Sequence, residues 1–324
     1  MRFRTEIEVK PFDRKIGYGS RILSVGSCFA DNMAGALQRA KFHVTANPAG
    51  ALFNPASIAR TLQIFHEQRI VTRQELAESD GRWFDYRFHG SLSASAADEA
   101  LSKISHAIEC GHKALSEADT VIITFGTAWI YELNSTGETV ANCHKQPANL
   151  FRRRRLSVEE IVGQFMALAE TILRDKTVIL TVSPVRHLGD GADENFLSKA
   201  TLKLAVAELA AKLDNVLYFP AYEILNDDLR DYRFYADDLV HPSAQAVEYI
   251  REKFFGAVLD TKSHAVLQRV EKICAAAAHR PEDPHSSGYT DFCRKQIAAI
   301  EALESETEGL DLSTERECFA RFAH

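Results

Sequence analysis

The apolar positions of this chain change period as the sequence is followed from its N-terminus. Ile22-Leu23-Ser24-Val25, entered at Arg21 and closed by Gly26, has the pattern of a buried strand. Phe29, Met33, Leu37 and Ala40 then recur at helical spacing. Phe42 to Ala46 predicts a second strand, broken by Asn47-Pro48-Ala49-Gly50, and Pro55 starts a helix through about Phe65. A helix over Ala96 to Ala118 precedes Thr120 to Phe125. That stretch is β-branched and apolar, as in a central parallel strand buried on both faces.

Trp129 to Leu133 and Glu138 to Ala141 flank Asn134-Ser135-Thr136-Gly137, which predicts an inserted hairpin. Ser157, with Glu160 three residues on, is a capping box for a helix to about Asp175. Thr177 to Val182 is a further buried strand, stopped by Ser183-Pro184. A helix over Glu194 to Leu213, a short strand over Val216 to Phe219 and a helix over Pro242 to Val258 follow. Strand–helix alternation implies right-handed crossovers and a parallel sheet covered on both sides. From Lys262 onward the pattern is helical, with a helix ending near His279, a loop over Arg280 to Gly288, a helix over Asp291 to about Leu303 and an acidic tail. The chain therefore divides into an α/β domain over residues 1–260 and a helical C-terminal extension over residues 261–324.

Ligands in open α/β sheets sit at the carboxyl ends of the strands, and the chemically capable residues cluster there. Ser27 and Cys28 lie at the turn after Val25, where a helix N-terminus offers free N–H groups and the positive end of its dipole. Either can be the nucleophile, and such a site is expected to lower a thiol pKa. Read structurally, Ser27 is a plain helix cap and Cys28 a small buried filler. Asp238 and His241 stand three residues apart, an acid able to fix the tautomer of a general base. Gly50 and Asn54 are candidate oxyanion donors. Asn142, His144 and Lys145 form a polar group able to hold a carboxylate, phosphate or sugar hydroxyl. Arg186 and His187 follow a strand end, and Asn195, Ser198 and Lys199 open the next helix, whose N-terminus favours anions. Arg152 to Arg155 reads as a solvated charge run before a capped helix.

Composition changes the picture by exclusion. The 324 residues are 46% hydrophobic and 26% charged, with a formal net charge of −7, which argues against a nucleic-acid partner. The N-terminus lacks an apolar stretch of signal type and no apolar run approaches a membrane span, so the expectation is a cytoplasmic protein without a membrane span. Its six cysteines form no CxxC pair and read as reduced thiols. No HExxH, P-loop, GxGxxG or metal-spaced Cys/His set is present, so no metal, nucleotide, flavin or other cofactor is expected.

Taken together, these segments resemble the GSCFA family, whose name is spelled by Gly26-Ser27-Cys28-Phe29-Ala30. The resemblance covers about residues 1 to 258. It includes Phe3-Arg4-Thr5, Phe53-Asn54-Pro55, Gly126-Thr127-Ala128-Trp129, Asn142-Cys143-His144-Lys145, Ser183-Pro184-Val185-Arg186-His187 and Asp238-x-x-His241-Pro242. The family is a distant relative of the SGNH/GDSL hydrolases. The resemblance therefore implies an SGNH-hydrolase-like, flavodoxin-like three-layer α/β/α fold with a parallel sheet, plus the helical extension. In those hydrolases a Gly-Asp-Ser turn carries the nucleophile. Aligned on the glycine, it falls on Gly26-Ser27-Cys28 and puts Cys28 at the nucleophile position, and a bacterial polysaccharide acyltransferase group with Gly-x-Cys agrees. The Gly-x-Asn block reads Gly126-Thr127-Ala128, so its Asn is missing and Asn142 or Asn54 is the substitute. The implied function is an esterase or O-acyltransferase with a small-molecule or carbohydrate acyl substrate and, for transfer, an acyl donor. The alternative is a non-catalytic module holding a sugar or anion through Lys145, Arg186 and Lys199.

Overall fold

The computed structural model describes residues 4–284 and 286–323. Phe3, the first residue of the Phe3-Arg4-Thr5 match, and His285, in the loop over Arg280 to Gly288, lie outside the described residues. In chain order the first elements are β1 (Arg21–Gly26), α1 (Cys28–Arg39), β2 (His43–Ala46), α2 (Pro55–Glu67), β3 (Ala77–Ser79), β4 (Arg82–Phe84), α3 (Ala97–Glu117) and β5 (Thr120–Phe125). Next come β6 (Trp129–Leu133), β7 (Thr139–Val140), β8 (Phe151–Arg155), α4 (Val158–Glu170), β9 (Thr177–Val182), α5 (Ala192–Lys212) and β10 (Val216–Phe219). A short helix, α6 (Ala221–Glu223), runs into a π-helical turn. Then follow α7 (Ala244–Val258), α8 (Thr261–Ala278), α9 (Ser287–Glu306) and α10 (Ser313–Ala320).

β10-β9-β5-β1-β2 form one sheet in that order, and every neighbouring pair is parallel. This is the flavodoxin-like order, in which the crevice at the topological switch lies at the carboxyl ends of the two strands where winding reverses. Those strands are β1 and β5. Gly26 is paired with Thr124, and Phe125 with Val182, so the three predicted strand ends share one edge of the sheet.

The pleat sends alternate residues to opposite faces. Ile22, Ile122, Ile179 and Phe219 pack with α1 and α7 on one side. Leu23, Val25, Val121, Ile123, Leu180 and Val182 pack with α2 to α5 on the other. The expected three-layer α/β/α architecture is the observed one. The C-terminal helices continue the first layer. Val266 and Val270 of α8, Ile300 and Leu303 of α9, and Phe319 of α10 share one apolar core with Phe29 and Phe255.

Two local expectations are corrected. The acidic tail after about Leu303 holds the last turn of α9 and then α10. Leu312 and Phe319 are fully buried, and the Glu315 carboxylate meets Lys41 at 2.7 Å, which offsets its burial. The arginine run is not a solvated stretch but β8, paired antiparallel with β6 beside β7. Its side chains alternate. Arg152 and Arg154 converge on the buried Glu132, Arg154 also meets Glu160, and the Arg153 guanidinium lies 3.8 Å from the centre of the Trp129 ring.

The turn that ends β1 depends on glycine. Gly26 has φ +140°, and a β-carbon there would overlap Thr124 O and lie 2.8 Å from Thr124 N. Strain and overpacking act together, so Gly26→Ala is expected to cost about 3 kcal/mol or more. A urea titration of both proteins reads this as a fall in midpoint at constant slope.

Candidate active site

Three segments meet above the switch point. The turn after β1 is held from below and from the side. Ser27 N–H donates to Thr124 O at 3.1 Å, and Gly26 N–H donates to Asn47 Oδ1 at 2.8 Å. Asn47 Nδ2 in turn donates to Asp31 Oδ1 at 2.7 Å, which ties the β2 loop to the first turn of α1. Asn47 and Asp31 escaped the sequence reading. The available signal was an Asn-Pro break directly after a strand, a residue pair that favours a turn with side-chain hydrogen bonds.

The loop before α7 brings in the acid and the imidazole. Asp238 Oδ1 accepts the N–H groups of Val240 and His241, each at 2.9 Å. Leu239 takes φ +57°, the left-handed conformation that closes this turn. Arg186 N–H donates to Val240 O at 3.1 Å and pins the loop to the end of β9.

Asp238 Oδ2 lies 2.7 Å from His241 Nδ1, and His241 Nε2 lies 3.7 Å from Cys28 Sγ. The His241 N–H, its ring and the Val240 N–H together hold the Asp238 carboxyl down at about 2. An ionised carboxylate only accepts, so Nδ1 carries the proton and Nε2 offers its lone pair to the thiol. Both side chains are about half exposed, at 49% and 48%, so both are open to solvent.

The two candidate nucleophiles part company here. Cys28 is the first residue of α1 and its sulfur faces His241. Ser27 occupies the cap position but makes no side-chain cap bond; it is 1% exposed, and its hydroxyl has no partner among the described residues. The expectation of a depressed thiol pKa is corrected: burial first, and then the Asp31 charge, push the Cys28 thiol up. The N–H groups of Phe29 and Cys28 and the charge of Lys199 act in the opposite sense and are outweighed.

With this geometry established, sequence comparison adds the ancestry. The model of the GSCFA family matches residues 21–254, and that of the GSCFA domain protein C-terminal domain matches residues 270–323. The chain belongs to the GSCFA family. Among curated proteins no relative matches. A solved structure similar to this chain is an acetyl xylan esterase from the rumen bacterium Butyrivibrio proteoclasticus. It has 12% identity and a TM-score of 0.33, and the match covers 77% of this chain and 64% of the esterase's own length.

In this GSCFA protein the remaining candidates fall into two groups. Near the strand ends, Ser198 Oγ accepts from Ala128 N–H at 2.8 Å and lies 3.1 Å from Thr127 Oγ1, so it shapes the loop after β5. It is 1% exposed. Lys199 is equally buried and donates to Gly126 O at 2.6 Å and Ser183 O at 2.7 Å. Neither side chain is open to solvent. Asn195 Oδ1 accepts from His187 N–H at 3.0 Å. Burial, then the charges of Lys199 and His241, hold the His187 imidazole down at about 4, so it is neutral at neutral pH. Arg186 stacks over Tyr235 at 4.1 Å and Tyr232 at 5.4 Å.

The second group stands apart. Asn142, His144 and Lys145 line a cavity of about 430 Å³ with Arg82, Phe84 and Gln146; neither Cys28 nor His241 is among its lining residues. His144 stacks on Phe84 with ring centres 4.2 Å apart, and its Nε2 lies 3.1 Å from Asp85 O. Burial pulls its pKa down. Asn142 Oδ1 accepts from His144 N–H at 2.7 Å. Of the two oxyanion candidates, Gly50 is engaged through its donor and Asn54 through its acceptor. Gly50 N–H donates to Asn47 O at 2.8 Å, so it does not supply a free donor. Asn54 Oδ1 caps α2 by accepting from Ser57 N–H at 2.8 Å. The N–H groups of Gly126 and Thr127 both go to Phe53 O. Among the described residues no helix is long and apolar enough to cross a membrane.

Proposed function

We propose that this protein is an esterase or O-acyltransferase in which Cys28 is the nucleophile, His241 its general base and Asp238 the group that orients His241. The observation that carries this reading is the continuous chain from Asp238 Oδ2 through His241 to Cys28 Sγ, with links of 2.7 and 3.7 Å. The Cys28 thiol rests protonated, since burial disfavours the thiolate. His241 Nε2 takes the thiol proton as sulfur attacks the ester carbonyl carbon. The carbonyl electron pair moves onto oxygen, where the unpaired N–H groups opening α1 stabilise it. Collapse restores the carbonyl and breaks the C–O bond, and the leaving alkoxide takes the proton from His241. A water molecule, or the hydroxyl of an acceptor, then attacks the thioester with His241 again as base. Hydrolysis and transfer differ only in that second nucleophile. An acyl group on a carbohydrate suits the open, polar approach to the half-exposed dyad.

The test is to trap the acyl-enzyme. On mixing with p-nitrophenyl acetate, the peptide containing Cys28 should gain one acetyl group, lost again on incubation in water. Acetylation spread over surface lysines, with Cys28 unmodified, would remove the covalent mechanism.

A further inference from the structure

Lys199 is a charge buried without a counter-charge. It is 1% exposed, and its ammonium donates to Gly126 O at 2.6 Å and Ser183 O at 2.7 Å, the carbonyls just beyond β5 and β9. Among the described residues no carboxylate pairs with it. An ammonium has three donors, and the third meets no acceptor; the ring of Tyr222 lies 5.9 Å away. Burying an unpaired cation costs several kcal/mol, so such a group persists where its charge is used. Gly126 packs directly on the residue before the nucleophile, since a β-carbon there would sit 3.2 Å from Ser27 Cβ. The fold thus places the cation beneath the β1 turn, on the side opposite solvent.

We propose that Lys199 is a positioning residue, a buried counter-charge for the anion that forms at Cys28. The proposal rests on the reading of Cys28 as the nucleophile. Thiolate and tetrahedral oxyanion both gain from a fixed cation in a site that water does not screen. Burial lowers the Lys199 pKa to about 7, Cys28 raises it, and Lys199 lowers that of Cys28. The cation therefore acts below about pH 7 and fades above it. The other titratable groups facing this pair are Asp31 on α1, Asp238 and His241 in the loop before α7, and His187.

The test compares Lys199→Gln, a neutral donor able to reach the same carbonyls, and Lys199→Arg, which keeps the charge. Iodoacetamide alkylation of Cys28, followed by peptide mapping, reads the thiolate population without any turnover. The wild-type rate should exceed that of Lys199→Gln by roughly tenfold below pH 7. That ratio should decay toward one at higher pH, as Lys199 loses its proton. Lys199→Arg should hold the ratio at alkaline pH. A ratio of one at pH 6 in folded Lys199→Gln would overturn the proposal. Should that variant not fold, the wild-type chain decides. With ¹³C-labelled lysine, the Lys199 resonance should titrate about one unit higher after Cys28 is carboxymethylated with iodoacetate than after it is amidomethylated with iodoacetamide. Equal titrations would overturn it equally. A protein that shows the ratio but never forms an acyl-enzyme would sink the enzymatic reading and leave the electrostatic pairing intact.

Discussion

Replacing Cys28 with alanine is expected to abolish ester turnover, a loss of about 10³-fold or more in kcat/KM, while Ser27→Ala stays active. The contrast follows from which atom meets the base. Cys28 Sγ is 3.7 Å from His241 Nε2, whereas the Ser27 hydroxyl is buried and without a partner among the described residues. Stability should separate the two variants as well. A buried hydroxyl with no partner leaves its desolvation uncompensated, so Ser27→Ala is expected to be neutral or stabilising by up to about 1 kcal/mol. A conventional helix cap would lose about 1 kcal/mol instead. The measurements are kcat/KM on p-nitrophenyl acetate and urea midpoints for both variants. Retained activity in Cys28→Ala with loss in Ser27→Ala would restore a serine nucleophile.

The large apolar elements were legible because burial on a sheet or helix imposes a period. Arg21 to Gly26, Thr120 to Phe125 and Thr177 to Val182 are strands at those same bounds. Elements whose partners are polar were not legible. β8 is a phenylalanine and four arginines in a row, and it is a strand because Glu132, Glu160 and Trp129 receive arginine side chains from across the ladder and from α4. α10 looked like solvated charge because Lys41, which offsets Glu315, is 274 positions earlier in the sequence. The same limit applies to the site. The Asp238–His241 contact is local, and its spacing pointed to it once taken together with the strand-end turn at Gly26. Between Ser27 and Cys28 residue type and periodicity left the choice open, and the resemblance pointed to Cys28, the residue whose sulfur faces His241. Depth was equally hidden. The helix N-terminus pointed to a lowered thiol pKa, yet burial and Asp31 prevail. Lys199 had the chemistry of an anion ligand, yet it sits beneath the strand ends. Asn142, His144 and Lys145 were grouped correctly with one another but line a different cavity.

Asp238→Asn is expected to lower kcat/KM by about 10²-fold while leaving the fold intact. The amide oxygen can still accept the N–H groups of Val240 and His241, so the turn around Leu239 keeps its clamps. The amide nitrogen, placed where Oδ2 stood 2.7 Å from His241 Nδ1, donates instead of accepting. His241 then carries its proton on Nε2, and the lone pair faces away from Cys28. The expected loss is set below that of a fully buried triad acid because Asp238 is half exposed and water competes for the imidazole. The pH dependence has a definite sign. The folded pKa of Asp238 is depressed from 3.8 to about 2. Whatever stability it adds is present above about pH 4 and is lost as pH falls through about 2. The activity ratio of wild type to Asp238→Asn should therefore be insensitive to Asp238 ionisation from pH 5 upward. In acid, the wild type should lose stability over this range and the variant should lose less. Equal kcat/KM for the two proteins across pH 6 to 8 would show that the imidazole holds its tautomer without Asp238. The base would then need another orienting partner.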